Sequence, residues 1–532
     1  MEYYIILAAM VIFLCLTASS VSNKLGIPTL IFFIILGMVF GSEGIVGIWF
    51  EDYNFANYIC SFGLIYIMFY GGFGVNWSVA KPVALKAGLL STLGVVLTAV
   101  LTGVFCHLVL GIGLLESLLL GSVISSTDAA AVFYILKAKK LNLKNGLASL
   151  LEIESGSNDP IANMLTIILL GIIQGNGLGA VPIIFIKQFL IGILVGCILG
   201  LLAGYGLRKF EVMTEGLNMI YVFAIALFSY ALSNILGGNG YLSVYITGII
   251  LGNMKIPNKP ELVHFFDGVT NLFQMLVFFL LGLLAFPTEV ISYLVPAIGV
   301  TLFLTFIARP VAVAVLMTPF KVPFKDQLLI SWAGLRGASG IVFAIVVTVS
   351  GIFVENKIFN IVFCIAMLSI AVQGALLPIV AKKLDLLDDT MPVSMTFSDY
   401  RNEADVRLVN ILVTKHHPWV GKKLSEITFP HQSLVVLIKR RFEVVIPKGD
   451  TVLEPEDVVV LSSEYQEADS DLQVQEIVID KNNKWVGKSI AECNIPKDTI
   501  IIMVKRREES IIPSGNTLIH AGDVLLTCGL KE

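Results

Sequence analysis

Leu151-Glu-Ile-Glu-Ser-Gly-Ser-Asn-Asp-Pro160 sits inside residues 147–173, a stretch otherwise apolar and long enough to cross a bilayer. An ionisable side chain at membrane depth costs at least ~2.5–3.5 kcal/mol, so it is kept only with partners and for a purpose. On a helix, Glu152, Ser155 and Asp159 recur at i, i+3 and i+7 and share one face, while Glu154 and Asn158 form an i, i+4 stripe beside it. Pro160 lacks a backbone donor and leaves the Gly156 carbonyl, four residues upstream, free for an ion or water. A carboxylate among hydroxyl, amide and carbonyl oxygens reads as a dehydrated site for a hard monovalent cation, with Asp159 at its centre.

The rest of the chain supplies the setting. Of 532 residues, 56% are hydrophobic and 14% charged, against roughly 25% charged in an ordinary soluble domain. A wholly soluble protein is excluded. The net charge of -4 offers no footprint for nucleic acid. Charge is unevenly divided: residues 1–390 carry 38 of the 76 Asp, Glu, Lys and Arg, and the last 142 residues carry the other 38. A membrane domain over 1–384, a linker over 385–404 and a water-facing tail are expected. The seven cysteines have no C-x-x-C pair or Cys/His cluster and read as small buried hydrophobes; no cofactor is expected. Residues 3–20 lack the basic start and small-residue cleavage site of a signal peptide, and stand as the first helix.

Dividing the membrane domain at its Gly, Pro and charge clusters gives thirteen spans: 3–20, 27–41, 55–73, 87–110, 114–136, 147–173, 181–207, 217–236, 241–253, 265–286, 290–318, 326–350 and 358–380. With the N-terminus outside, one side receives Lys24, Lys81, Lys86, Lys137, Lys139, Lys140, Lys144, Arg208, Lys209, Lys255, Lys259, Lys321, Lys325, Lys382 and Lys383, and the other only Lys357. That asymmetry needs both short spans, the second and the ninth, and it places the tail in the cytoplasm. Lys187, Arg309 and Arg336 remain at membrane depth or its edge; Lys187 reads as a snorkelling residue.

Two further polar runs interrupt apolar spans: Ser125-Ser-Thr-Asp128 in the fifth, and Gly334-Leu-Arg336-Gly-Ala-Ser-Gly340 in the twelfth. These spans are seven apart and run in opposite directions, as an inverted repeat of spans 1–6 against 8–13 requires, with two broken helices meeting at mid-membrane. Asp128 beside one break and Arg336 inside the other offset half-helix dipoles of opposite sign. Glu154 and Arg336 read as a structural ion pair, since Arg does not lose its proton.

Ser126-Thr-Asp128-Ala-Ala, Glu152 to Pro160 and Gly334-Leu-Arg-Gly337 together resemble the monovalent cation:proton antiporters of the sodium/proton exchanger superfamily, most closely bacterial potassium/proton antiporters of the cell-volume-regulation type. The resemblance implies an all-α polytopic fold of thirteen helices in the bacterial inner membrane, and a homodimer whose core bundles move against the dimerisation bundles. It implies that Asp159 binds cation or proton, that Ser155 and Thr127 are cation ligands, that Thr127 and Asp128 form the unwound crossing, and that Glu154 and Arg336 pair. Asn158 stands where electrogenic relatives have a second Asp. Two positions depart from the family: Phe69-Tyr70-Gly71-Gly72, where an acid often replaces the tyrosine, and Ala338-Ser-Gly340, where many relatives have Ala-Val-Pro.

One carboxylate shared by proton and cation makes exchange obligatory, and with Asn at 158 a one-for-one exchange carries no net charge. Potassium is favoured over sodium by the resemblance and the tail. A ligand-gated cation channel and a sodium-coupled organic-anion symporter are the alternatives. No filter sequence supports the first, and an acidic mid-membrane site opposes the second.

The tail repeats itself at an offset of 66 residues: Trp419-Val-Gly-Lys422 recurs as Trp485-Val-Gly-Lys488, Lys439-Arg440-Arg441 as Lys505-Arg506-Arg507, Ile446-Pro-x-Gly449 as Ile512-Pro-x-Gly515, and Asp457-Val as Asp523-Val. Each copy alternates short β-branched runs with turns, reading as a small α+β unit, over 405–466 and 471–532. The pair resembles two tandem C-terminal domains of regulators of potassium conductance. No strand is followed by G-x-G-x-x-G, so NAD binding is not expected. The two Lys-Arg-Arg runs suit an anionic effector such as a cyclic dinucleotide, and equally suit solvated strand ends. His416 and His417 are candidate pH sensors or plain surface-turn residues.

Overall fold

The computed structural model describes residues 2–387 and 406–530, apart from 26–27, 129–131, 133–134, 137–140, 142, 176, 178, 180, 210–214, 258, 352–356, 415–416, 428, 430–432, 441–442, 446, 465–471, 481–482, 494–498, 507–508 and 512. The chain divides into two compact units, Met1–Arg401 and Asn402–Glu532.

In the first unit the long helices follow the thirteen expected stretches with shifted ends, and short helices Trp77–Ala80 and Pro287–Ser292 lie between them. Glu2–Leu25, Thr29–Phe40, Tyr53–Gly74, Ala84–Leu110, Leu147–Ile173, Val181–Lys209, Glu215–Ile235, Gly240–Asn253, Lys259–Leu283, Leu294–Phe320 and Ile358–Lys383 are the unbroken ones. Eight helices are long and apolar enough to cross a membrane by themselves. The fifth span begins as Leu114–Ile124 and stops at Ser125; the twelfth is two pieces, Phe324–Trp332 and Ala338–Val349. Both interruptions fall on the polar runs. Serine and threonine compete for backbone hydrogen bonds there, and glycine gives the chain freedom to leave the helix.

Packing sorts the helices into two bundles. Spans two, three, nine and ten pack on one another, with one beside two and seven and eight beside nine; spans four, five and six pack together with eleven, twelve and thirteen. Spans three and nine touch the second bundle through twelve and six. Lipid offers no hydrophobic drive between helices, so close approach depends on small residues. Spans two and ten cross glycine on glycine: a Cβ on Gly37 would lie 2.9 Å from the Gly282 Cα and collide with the Phe279 carbonyl, and one on Gly282 would collide with the Ile34 carbonyl. Gly121 of span five lies in the same way against the backbone of Ala99 in span four.

π-helical turns occur at Leu90–Gly94, Leu304–Ala308 and Ser369–Gly374, in spans four, eleven and thirteen. Spans four and eleven are repeat equivalents, as are the two broken spans.

The tail holds two four-stranded antiparallel sheets of identical order. β1 (Val406–Leu412), β2 (Ser433–Arg440), β3 (Glu443–Val445) and β4 (Val458–Glu464) are arranged β1-β4-β2-β3; β5 (Leu472–Val478), β6 (Thr499–Arg506), β7 (Glu509–Ile511) and β8 (Val524–Leu530) are arranged β5-β8-β6-β7. Even the register shifts correspond, between Val435 and Leu437 and between Ile501 and Met503. Each sheet buries the same small core: Val413, Ile438, Leu453 and Val459 in one copy, Ile479, Val504, Ile519 and Leu525 in the other. Beside each core a buried aspartate receives a two-pronged arginine. Arg440 Nε and Nη2 donate to Asp457 Oδ1 and Oδ2 at 2.9 and 2.8 Å, and Arg506 does the same to Asp523 at 2.9 and 2.8 Å.

Two predictions follow from this packing. Gly37→Ala or Gly282→Ala forces the second and tenth spans apart and is expected to cost about 1–3 kcal/mol, read as a lowered Tm in detergent; Gly299→Ala, where an added methyl meets nothing within 4 Å, leaves Tm unchanged or slightly raised. In the tail, the Arg506 guanidinium holds the Asp523 carboxyl below its ordinary value of 3.8. Its stabilisation is complete above the ordinary carboxylate range and fades as pH falls through the lower folded value. Asp523→Asn therefore speeds hydrogen exchange in peptides covering β6 and β8 at pH 7, and the difference from wild type shrinks only below pH about 4.

Candidate functional site

The site is built where the two breaks face one another across span six. The first half of span five ends with carbonyls that have no helical donor, and Arg336, in the break of span twelve, supplies one: its Nη1 donates to the Ser125 and Ser126 carbonyls at 2.6 and 2.7 Å. The backbones also join directly, the Asp128 N–H donating to the Leu335 carbonyl at 2.8 Å. Asp128 lies against Gly337, where a Cβ would collide with its carboxylate. Gly337 is the N-cap of Ala338–Val349, so a negative charge meets the positive end of that half-helix while a guanidinium meets the negative end of the other. Span thirteen finishes the crossing from its π turn. Ser369 Oγ accepts the Arg336 N–H at 2.9 Å, and Gln373 Nε2 donates to the Trp332 carbonyl at 2.9 Å.

Span six presents its polar wall to this crossing. Asp159, 5% exposed, accepts a hydrogen bond from Ser126 Oγ on Oδ1, and Ser126 Oγ lies 3.0 Å from Ser339 Oγ. Thr127 Oγ1 sits 2.9 Å from Ser155 Oγ and receives the Asn158 amide. Ser126 Oγ reaches Asn158 Oδ1 at 3.4 Å, which joins the two groups of oxygens. Thr127, Asp128, Ser155, Asn158 and Asp159 are thus brought to one place. Asp159 does not bond directly to Ser155 or Thr127, however: its neighbours are Ser126 and Ser339. Both lie in the runs quoted from sequence, but nothing in their spacing tells which hydroxyl of Ser125-Ser-Thr turns inward.

Glu154 is a correction. Its carboxylate pairs with Arg309 of span eleven, Nη2 to Oε2 at 3.0 Å, both side chains 2% exposed or less, and not with Arg336. Arg336 is spent on the Ser125 and Ser126 carbonyls. Asn158 Nδ2 approaches the other Glu154 oxygen at 3.4 Å. Among the described residues, no basic side chain forms an ion pair with Asp159. Tyr70 is close to a different carboxylate: its hydroxyl donates to Asp267 Oδ1 of span ten at 3.4 Å. Asn239, the N-cap of span nine, holds the Pro160 carbonyl at 3.0 Å, a contact the sequence reading missed.

In the tail, Arg440 and Arg506 are engaged by Asp457 and Asp523 and do not stand free for an anion. Lys439 and Lys505 lie on β2 and β6. Arg441, Arg507 and His416 fall outside the described residues. The His417 ring packs edge-on against Trp419, 4.7 Å between centroids.

A family model described as "Sodium/hydrogen exchanger, transmembrane" matches residues 9–383, and one for the TrkA-C domain matches 408–470 and again 474–532. This chain belongs to the sodium/hydrogen exchanger family. The exchanger is a multi-pass membrane cation/proton antiporter carrying two TrkA-C domains. It is 36% identical over 466 residues to the K(+)/H(+) antiporter NhaP of Alkalimonas amylolytica, covering 86% of this chain and 80% of that one. With the K(+)/H(+) antiporter NhaP2 of Shewanella oneidensis it shares 34% over 493 residues, 91% and 85% of the two chains. A solved structure of the sodium proton antiporter MjNhaP1 from Methanocaldococcus jannaschii superposes with a TM-score of 0.63 at 23% identity, over 72% of this chain and 99% of that one. The match in fold covers the membrane unit of the exchanger. Relatives of this kind favour exchange over the channel and symporter alternatives.

Removing one partner of a buried ion pair strands the other charge, at about 3–5 kcal/mol. Arg309→Met is therefore expected to lower the Tm of the exchanger severely, with Glu154→Gln/Arg309→Met recovering most of the loss. Additive effects in that double-mutant cycle would separate the two residues.

Proposed function

We propose that this exchanger carries potassium against protons, one for one and without net charge, with Asp159 as the seat that each ligand occupies in turn. The observation that carries the reading is a buried carboxylate whose partners among the described residues are hydroxyls and not a cation. A hydroxyl accepts from a protonated carboxyl as readily as it donates to an ionised one, and it can also turn a lone pair to a metal ion. A bare carboxylate in this setting is the costly form, so the barrier is crossed when the site is filled and uniport is suppressed.

Asn158 supports neutrality, because a second acid beside Asp159 would add a second titrating charge. Potassium as the substrate follows the relatives that align along the tail as well as the membrane unit, both named K(+)/H(+) antiporters. Sodium is the second reading. A relative named "Probable Na(+)/H(+) antiporter 2" aligns over 60% of this chain at 26% identity. Thr127, Ser155 and Asn158 are proposed to complete the cation's oxygen shell as Asp128 steadies the crossing. The protein is proposed to work as a homodimer in the bacterial inner membrane, N-terminus outside, with the two TrkA-C domains in the cytoplasm, where an effector bound by them sets the rate. Membrane domain 1–384, linker 385–404 and tail copies 405–466 and 471–532 are the corresponding parts.

In liposomes, Asp159→Asn is expected to abolish cation-driven proton flux, and Asp128→Asn to reduce it less. Wild-type exchange on a solid-supported membrane should show no sustained charge displacement. Normal flux from Asp159→Asn overturns the proposal; charge movement overturns its neutrality. Removal of residues 405–532 should leave exchange present but alter its dependence on cytoplasmic conditions.

A further inference from the structure

Span six carries one more carboxylate that the transport site does not use. Glu152 lies in the second turn of Leu147–Ile173, at the end of the span nearest Lys144, partly buried, with no hydrogen bond or ion pair among the described residues. Counting along the same face, Gly156 follows at i+4 and Asp159 at i+7. Over Gly156 hangs a side chain from the other bundle. A Cβ there would lie 2.9 Å from both the hydroxyl and Cε2 of Tyr245, in span nine. Only glycine admits the ring.

Tyr245 is 3% exposed, and its hydroxyl is buried with no partner among the described residues. A phenol beside apolar side chains is normally satisfied, because an unmade hydrogen bond is expensive. Here the oxygen lies over Gly156, on the helix face that carries Glu152 one turn before it and Asp159 three residues after it. Pro160 also offers the Gly156 carbonyl no helical N–H, which leaves a third oxygen available on this stretch of helix. An anionic oxygen, a neutral phenol oxygen and a freed carbonyl form the donor set of a hard monovalent cation.

We propose that Glu152 and the Tyr245 hydroxyl form an outer station on the path to Asp159, holding the transported cation, partly hydrated, about two helical turns or ~10 Å before the inner site. This rests on Asp159 being the exchange site. The station lies on the face that carries Lys144, so it loads cation from that side alone. It concentrates the cation next to the site where a proton must leave. Span nine belongs to one bundle and span six to the other, so the station is complete only while the two are in this relative position.

The test is cation-dependent exchange by the full chain in vesicles of both orientations, with Na+, K+ and Rb+ as probes. Glu152→Gln and Tyr245→Phe are expected to raise KM for cation presented to the Lys144 face about five- to tenfold, with Vmax and the opposite face little changed; Glu152→Asp restores most of the affinity. A purely structural role would lower Vmax or Tm on both faces alike. Unchanged KM in both variants, or a loss of Vmax at constant KM, overturns the station. Should Tyr245→Phe fail to assemble, Glu152→Gln decides by itself, being near-isosteric at a partly buried position. Asp159→Asn separates the two claims: normal exchange in that variant defeats the transport-site reading, whereas a dead Asp159→Asn beside wild-type KM in the others defeats only the station.

Discussion

The membrane unit depends on one constraint: a helix broken within a bilayer must find donors and acceptors for the backbone it releases. Two broken spans solve this jointly. Arg336 from one break satisfies the carbonyls ending the half-helix of the other, Asp128 returns a negative charge to the opposite half-helix start, and the π turn of span thirteen holds the break of span twelve through Ser369 and Gln373. A charged side chain works here because each half-helix dipole adds to its Coulomb energy where water is excluded. With backbone and dipoles accounted for by Arg336 and Asp128, and Glu154 neutralised by Arg309, the only buried acid at the crossing left without a basic partner among the described residues is Asp159.

Much of this was readable in the sequence because membranes amplify simple signals. Hydropathy and the distribution of lysines located the second and ninth spans although their helices, Thr29–Phe40 and Gly240–Asn253, are too short to cross alone; the sign of the loops, not the length of the helices, required them. The polar runs marked both breaks. The partner of Glu154 escaped, for a definite reason. Arg309 directly follows the π turn Leu304–Ala308, and the extra residue in such a turn rotates everything after it by about a quarter turn. A heptad or 3.6-residue projection of span eleven cannot foresee that rotation. Arg336 read as the partner because an arginine keeps its proton and suits a strut between two helices, a property that Arg309 shares.

The tail teaches the converse. An exact offset of 66 residues predicted two like units, and the sheets agree in strand order, register shift and core. The basic runs within the repeat were harder to read. Arg440 and Arg506 recur at that offset because Asp457 and Asp523 do. Repetition preserves whatever a fold needs, so a charged motif present in both copies is evidence for a structural pair as much as for a ligand. Burial of the aspartate decides between the two, and burial is not a property of a motif.

Glu154 and Asp159 show how one helix can hold two carboxylates for opposite ends. They are five residues apart, both nearly inaccessible, and differ in what faces them. Glu154 meets the Arg309 guanidinium at 3.0 Å and serves as a fixed strut between spans six and eleven. Asp159 meets hydroxyls, which rotate to donate or accept and therefore impose no single protonation state. The exchange proposed for Asp159 needs that indifference. A basic neighbour at Asp159 would favour the empty anion, the one state that must not cross the membrane, and an apolar neighbour would favour the proton so strongly that no cation could displace it. In the exchange proposed for Asp159, two serines reached from two different breaks put proton and cation on comparable terms, and their positions exist only because both helices are interrupted where they cross.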